Sequence, residues 1–434
     1  MSDKAAAKSN VFAGRNFRLV FFGALVSDLG AVLYSFAVSF YILEISGNNA
    51  FLQGLYLALC GVVLLISTPV GGVLGDRYNK ARIMFICDYL KGGLILLATL
   101  GILCFPAHGV QLVILFIVGI LGNAVSGIFS PSSAALLPHI VPEERLQQAN
   151  SYFTAKSSLQ SILGVVLAGV LYAALPIQIL FLFVGICYTL SGVSEMFIRY
   201  RHTAPAEKLT VGLVFSDMRD GLRYLKMQKA IIVMLVAILF VNFFISPLTG
   251  NFIPYFVKTD IAGASSYLFD KLLTPELWSS VFEMLSGISM LVGSLILSTR
   301  EQPDKCGHKT ALKLCMMAGL MLTITLLYWL LVDRGHSLNL FLILFSLGSL
   351  MIGLLIVYIN IPISTVIMRI VDKDKLSKVM SIINLFSMGL IPIASVLAGT
   401  VLQYAGSTPL LLICSAGFTV TALFMLFNKS TKEI

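Results

Sequence analysis

Twelve long apolar runs, separated by short polar segments, constrain this chain more than any other feature of its sequence. They fall at about 17–43, 51–75, 83–104, 110–137, 151–175 and 178–198. After a polar stretch they resume at about 229–257, 278–299, 311–332, 337–367, 378–404 and 408–427. Each run reaches the roughly 20 residues that a helix needs to cross a hydrocarbon core. Only 12% of the 434 residues are charged, about half the share found in soluble domains, and the mean hydropathy is +0.92. The fold class that follows is an all-α membrane protein of twelve transmembrane helices. Its domains are an N-terminal six-helix half (1–198), a cytoplasmic linker (199–228) and a C-terminal six-helix half (229–434).

The net charge of +9 does not mark a nucleic-acid binder, because the cations fall between apolar runs and not along one face. Their distribution sets topology. The N-terminus, the even-numbered connections and the C-terminus carry 25 of the 30 Lys and Arg residues, whereas the opposite loops carry Lys258, Lys271 and Arg334. By the positive-inside rule both termini are cytoplasmic. The polar start Met1–Asn10 leads into a run too long for a signal-peptide core, so it reads as a retained first span. In the linker, Leu213, Phe215, Met218, Leu222 and Leu225 recur at helical spacing against Asp217, Arg219, Asp220, Arg223 and Lys226. That pattern predicts an amphipathic helix on the membrane surface.

An internal repeat relates the halves. The segment Ile140-Val141-Pro142-Glu143-Glu144-Arg145-Leu146 aligns without gaps to Ile370-Val371-Asp372-Lys373-Asp374-Lys375-Leu376. The same offset superposes Val166-Leu167-Ala168-Gly169 on Val396-Leu397-Ala398-Gly399. Two parallel six-helix repeats, pseudo-symmetric about the membrane normal, are a transporter arrangement with the solute site near the midplane. Enzyme signatures are missing: there is no P-loop, and the short loops leave no room for a nucleotide-binding domain. The seven cysteines are scattered singly and the five histidines form no ligand pair, so no cofactor, metal or disulfide is implied.

Between the second and third runs lies Gly72-Val73-Leu74-Gly75-Asp76-Arg77-Tyr78-Asn79-Lys80-Ala81-Arg82, a charged turn that makes its two helices antiparallel neighbours. It resembles the G-x-x-x-D-R-x-G-R-K signature of the major facilitator superfamily. Gly72, Asp76, Arg77 and Lys80 match. Asn79 replaces the usual Gly, and among residues with a side chain Asn best tolerates left-handed geometry. Ala81 replaces a basic residue, with Arg82 following. Within the superfamily the chain is most similar to the macrolide-efflux, drug:proton antiporter branch. The stretches that carry this are Asn16-Phe17-Arg18, Ser27-Asp28-Leu29-Gly30, Cys87-Asp88-Tyr89-Leu90-Lys91, Gly221-Leu222-Arg223-Tyr224-Leu225 and above all Ala135-Leu136-Leu137-Pro138-His139-Ile140-Val141-Pro142. The resemblance implies the major facilitator fold, alternating access and export driven by proton antiport, in a prokaryotic inner membrane and as a monomer. Its relatives include siderophore exporters and lysophospholipid transporters, so these stand as alternatives for the solute, as does a non-transporting binding or sensor protein of the same fold. The repeat counterpart of the signature, Arg300, Lys305, Gly307 and Lys309, is a degenerate basic version.

Ionisable groups inside spans are functional candidates by default. Asp28 lies off the apolar stripe Phe22, Leu25, Val26, Leu29, Leu33, Phe36 and Phe40 and beside Ala24, Ala31, Ser35 and Ser39. It therefore faces protein or a cavity, where it is a proton-coupling candidate. Glu283, among Ser279, Ser280, Ser286 and Gly287 on the eighth run, is the second, and the resemblance adds to it. Asp88 and Lys91, at i and i+3, can pair and stand near the signature turn. With Asp76 they form a candidate gating latch that holds the outward-open state. Lys156 reads as an anchor snorkelling to the surface, and Glu44 and Glu195 as span-end residues that stay hydrated. By the family architecture the first, fourth, seventh and tenth helices line the pathway. Their polar residues Tyr34, Asn123, Asn242 and Asn360, with Asn384 on the eleventh, are cavity candidates, though buried amides equally serve helix packing. Gly164, Ala168, Gly169, Ala398 and Gly399 read as close-packing positions. The expected partners are a small amphipathic solute, protons and the lipid bilayer.

Overall fold

In lipid every backbone polar group must be satisfied within its own segment or a closed sheet, so runs this apolar fold as helices. The structure, a computed structural model, describes residues 11–142, 145–199, 229–298, 307–370, 383 and 385–428. Among them there is no strand, and twelve helices are long and apolar enough to cross a membrane. The first four are α1 (Arg15–Ile45), α2 (Ala50–Arg77), α3 (Lys80–Cys104) and α4 (His108–Ile140). α5 runs over Leu146–Leu159, passes through a π turn at Gln160–Gly164 and resumes as Val165–Ala174. α6 is Ile177–Met196, and α7 begins as Lys229–Pro247 and continues through the turns Leu248–Phe252, Ile253–Phe256 and Val257–Ile261. α8 (Pro275–Ser298), α9 (Gly307–Tyr328), α10 (Leu338–Ile370), α11 (Ile391–Ala405) and α12 (Ser407–Phe427) complete the series. The expected amphipathic linker helix, the second copy of the repeat loop (371–382), and Arg300 and Lys305 lie outside the described residues.

The chain divides into two compact units. One draws its described residues from Met1–Val38 and Val62–Val211, the other from Ser39–Gly61 and Gly212–Ile434. α1 and α2 therefore contribute to both. In the first unit α3 and α6 make extensive contact, and glycines let them approach. A Cβ on Gly92 would lie 2.9 Å from Thr189 Oγ1 and 3.1 Å from the Gly185 carbonyl oxygen, and one on Gly185 would lie 2.7 Å from Leu96. The Ser191 and Ser194 hydroxyls donate to the carbonyls of Gly23 (2.9 Å) and Leu19 (3.0 Å), which ties α6 to α1 as well.

In the second unit the repeat equivalents α9 and α12 pair in the same way, and α8 packs along α10. Phe252, Phe256, Tyr328, Phe341 and Phe345 form a core of edge-on and stacked rings with centroids 5.3–6.2 Å apart, the geometry that aromatic quadrupoles prefer. The Ser39–Gly61 stretch belongs here because it is bonded here. Gln403 Oε1 accepts from the Ala50 backbone N–H (2.9 Å), and Gln53 Nε2 donates to Ser39 Oγ (2.7 Å) and the Gly250 carbonyl (3.3 Å). Gly54 and Gly399 face each other so closely that a Cβ on either would collide with backbone of the other helix.

Glycine placement gives a direct test of this packing. Gly185→Leu forces α3 and α6 apart and is expected to cost roughly 1–3 kcal/mol, lowering the thermal midpoint of the detergent-purified protein. Gly93→Ala, one residue from Gly92 but with no atom within 4 Å of its added Cβ, is expected to leave the midpoint unchanged or slightly raised.

Candidate functional site

The signature turn is a break of only two residues: α2 ends at Arg77 and α3 begins at Lys80. Asn79 is not left-handed, contrary to the expectation from its place in the motif. Its φ of −62° and ψ of 111° are extended, and its Oδ1 accepts from the Arg82 backbone N–H at 3.2 Å. It is an N-cap, satisfying one of the orphan donors at the start of α3. Gly72 has open space where a Cβ would stand. The close approach to α4 is made by Gly71, against the Gly127 carbonyl, and by Gly75, 3.0 Å from Ser132 Oγ. Arg77 and Arg82 are exposed and Lys80 is buried, and the Asp76 side chain lies outside the described set.

The apolar stripe on α1 does not face lipid along its length. Leu33, Phe36 and Phe40 are buried, so in its second half the stripe is core. The opposite face, with Ala31 and Ser35, opens on a cavity of about 300 Å³ within the first unit. Its other walls come from Lys91 of α3, Asn123 and Ser126 of α4 and Tyr188 of α6. Tyr34, Lys91 and Asn123, singled out separately in the sequence, thus meet around one space. The Asn123 amide donates to the Gly119 carbonyl on its own helix (2.9 Å). The Lys91 ammonium stands over two rings, 4.8 Å from the centroid of Phe129 and 5.3 Å from that of Tyr188, a cation–π arrangement.

Asp28 stands one turn along α1 from this lining, and its carboxylate forms an ion pair with Lys156 of α5. Gln160, in the π turn, donates to the Asp28 carbonyl at 2.9 Å. Lys156 is therefore not a surface anchor: its side chain is 5% exposed, whereas that of Asp28 is 36% exposed. A cation held this deep needs a counter-charge, and α5 brings it to one 128 residues away in the chain.

The other charges of this unit depart further from expectation. Glu195 does not stay hydrated at its span end; it is 0% exposed, as is Asp88. Asp88 and Lys91 do not form an ion pair within 4 Å, because the Lys91 ammonium is directed to the rings. Among the described residues no group donates a hydrogen bond of normal geometry to either oxygen of Asp88 or of Glu195. Ser191, which stands beside Asp88, gives its proton to Gly23 instead. Asp88 thus lies in the α3–α6 contact and not at the signature turn.

In the second unit Glu283 is half-buried on α8, next to the buried Ser279, Ser280 and Phe282. Asn242 is half-buried on α7 and Asn360 exposed on α10, while Asn384 lies outside the described residues. Lys258 bridges Glu44 (3.2 Å) and Glu276 (3.0 Å), and Asp260 accepts from Thr259 (2.9 Å) and Tyr328 (3.3 Å). The pairing of Lys258 with Glu44 and Glu276, the Asp260 contacts and Tyr188 on the cavity wall escaped the sequence. Tyr188 carried a usable signal, since it sits between Gly185 and Gly192 on the small-residue face of α6.

The Asp28–Lys156 pair makes an asymmetric prediction. Asp28→Asn leaves a buried ammonium without its counter-charge, with the Phe153 ring still beside it, and is expected to cost about 3 kcal/mol. Lys156→Met leaves a carboxylate that reaches polar surroundings, and its cost is expected to be less than half of that. Denaturation midpoints of the two variants and their double variant check this order.

A family model described as Major Facilitator Superfamily matches residues 20–396. The MFS-type transporter YvqJ of Bacillus subtilis (strain 168) is 22% identical over 423 residues, covering 96% of this chain and 93% of that protein. YkuC of the same organism is 23% identical over 297 residues, with 66% of this chain matched to 65% of that one, just under two thirds of its length. The enterobactin exporter EntS of Salmonella typhimurium is 27% identical over 159 residues, 36% of this chain and 37% of that one. Among solved structures, the nucleoside transporter NupG superposes with a TM-score of 0.71 at 13% identity, covering 95% of this chain and all of that one. A bacterial homologue of the iron transporter ferroportin superposes at 0.69 with 15% identity, over 96% and 98%. At such identities the structures speak for the fold alone, but with the family match across most of its length the chain belongs to the Major Facilitator Superfamily and is a multi-pass integral membrane transporter, not an enzyme.

Proposed function

We propose that this transporter exports an amphipathic, drug-like solute by alternating access, in exchange for protons. The observation that carries the reading is the cavity of the first unit. At about 300 Å³ it lies at the lower end of the size range of small-molecule sites. Its lining mixes Val32, Leu94 and Ile95 with Tyr34, Lys91 and Asn123, which suits a solute with one apolar and one polar face. Asp28, one turn away, is the proposed proton-coupling group. Protonation would release it from Lys156, so solute and proton can alternate through the same ion pair. Glu283 is the corresponding candidate in the second unit.

Alternating access also requires contacts that can be broken. The Ser39–Gly61 stretch, held to α7 and α11 by Gln53, Gln403 and the Lys258 bridge, is one proposed gate. The Gly72–Arg82 turn, with Asp76, is a second. Orientation follows the charge bias, with both termini in the cytoplasm of a prokaryotic inner membrane. A second reading, siderophore export, draws on the similarity to enterobactin exporters. It also draws on the Lys91 ammonium beside two aromatic rings, a setting that favours an acidic aromatic solute.

Purified protein in proteoliposomes, tested with a macrolide, enterobactin and a lysophospholipid under an imposed pH gradient, separates these readings. Gradient-driven macrolide movement supports the first and gradient-driven enterobactin movement the second. Lipid movement indifferent to the gradient, or no movement of any of the three, contradicts both. In the same vesicles Asp28→Asn is expected to abolish gradient-driven flux while solute binding persists; undiminished flux removes Asp28 from coupling.

A further inference from the structure

Asp88 and Glu195 are the two carboxylates most deeply enclosed among the described residues of the first unit, each 0% exposed, and none of their four oxygens has a hydrogen-bond partner of normal geometry there, although the Ser191 hydroxyl stands beside Asp88. They stand on α3 and α6, the pair of helices brought together by Gly92, Gly185 and Gly192. The Asp88 carboxylate adds to the negative field at Glu195. The Glu195 stem also rests against α1, where a Cβ on Gly23 would come within 3.4 Å of its Cγ.

The charged and titratable groups that face the two carboxyls can be named helix by helix. α3 supplies Lys91 and Cys87, α1 supplies Asp28, and α6 supplies Tyr188 and the Ser191 hydroxyl. Of these, Asp28 is already neutralised by Lys156. Among the described residues one cation, the buried Lys91, remains to balance two carboxylates. Two like charges confined together without solvent cannot both persist, and an uncompensated ion between packed helices is strongly disfavoured. With Lys91 charged, the cluster is neutral only when one carboxylate is ionised and the other carboxyl carries a proton.

We infer that Asp88 and Glu195 form a one-proton site, sharing a single proton between α3 and α6 with Lys91 as counter-ion to the remaining negative charge. Lys91 is at once the counter-ion and a wall of the cavity. A solute that alters the field at Lys91 therefore alters the hold on the proton. The inference rests on the proton-exchange reading for its role in transport, but the proton itself can be counted independently.

The test is infrared difference spectroscopy of the full-length protein in detergent at neutral pH, reading the carbonyl stretch of a protonated carboxyl. The wild type is expected to show the band. Asp88→Asn and Glu195→Gln are each expected to abolish it, because the carboxylate left behind is balanced by Lys91. Lys91→Met is expected to double it, because both carboxyls must then be protonated. Asp28→Asn and Glu283→Gln are expected to leave this band in place. A wild type without the band overturns the site, as does a band of undiminished strength in both amide variants or an unchanged band in Lys91→Met. Circular dichroism confirms folding, and if one amide variant does not fold, the other and Lys91→Met complete the count. Gradient-driven flux is measured separately. The band without such flux overturns proton exchange and leaves the site standing; flux without the band overturns the site alone.

Discussion

A charge between packed helices has no water to solvate it, and the organisation of the first unit follows from that cost. Lys156 is held because Asp28 meets it across α1 and α5. Lys91 is held partly by the faces of Phe129 and Tyr188, and partly by the carboxyls enclosed beside it. Glycines at 92, 185 and 192 make this possible, since only a close helix approach excludes solvent from Asp88 and Glu195. The same approach places Tyr188 and Lys91 side by side on the cavity wall. Packing, electrostatics and the candidate solute site are in this sense one arrangement: loosening α3 from α6 would hydrate the charges and reshape the cavity together.

The second unit solves a different problem with the same devices. Its core is aromatic, and its exposed end is held by Lys258 between two carboxylates of different exposure. The contacts of Gly54 with Gly399 and of Gln53 and Gln403 with backbone groups are short and directional. Contacts of that kind form or break as a set, which suits a switch between discrete states better than a graded motion. α1 and α2 contribute to both units, so a displacement of their Ser39–Gly61 stretch would be felt along helices that also carry Asp28 and the signature turn.

Much of this was legible in the residues. The twelve apolar runs became twelve helices. Tyr34, Lys91 and Asn123 converge on one cavity because residue type marked them as costly in lipid. What escaped was relational. Glu195 lies three residues from the end of its run, where distance along the helix suggests hydration; its burial depends on α1 and α3 covering that end. Lys156 could not be matched to Asp28 from spacing, because the contact spans 128 residues. Asn79 was read through the glycine it replaces, whereas the break between α2 and α3 is so short that a helix cap, not a positive-φ turn, is what the backbone needs. The α1 stripe misled for a related reason: in a bundle an apolar face can meet lipid or another helix, and periodicity alone does not distinguish them.

Transport by alternating access is the claim on which the functional account stands, and a reversible lock tests it most directly. In a cysteine-less background, Ala50→Cys and Gln403→Cys place one thiol on each of the two helices that the Ala50 N–H and the Gln403 side chain now join at 2.9 Å. Flux of the solute found to move in proteoliposomes is then measured before oxidation, after oxidation and after reduction. If this contact must open in each cycle, oxidation stops the flux and reduction restores it. Full flux with the cross-link in place would show that these helices never part, and alternating access through this gate would be wrong.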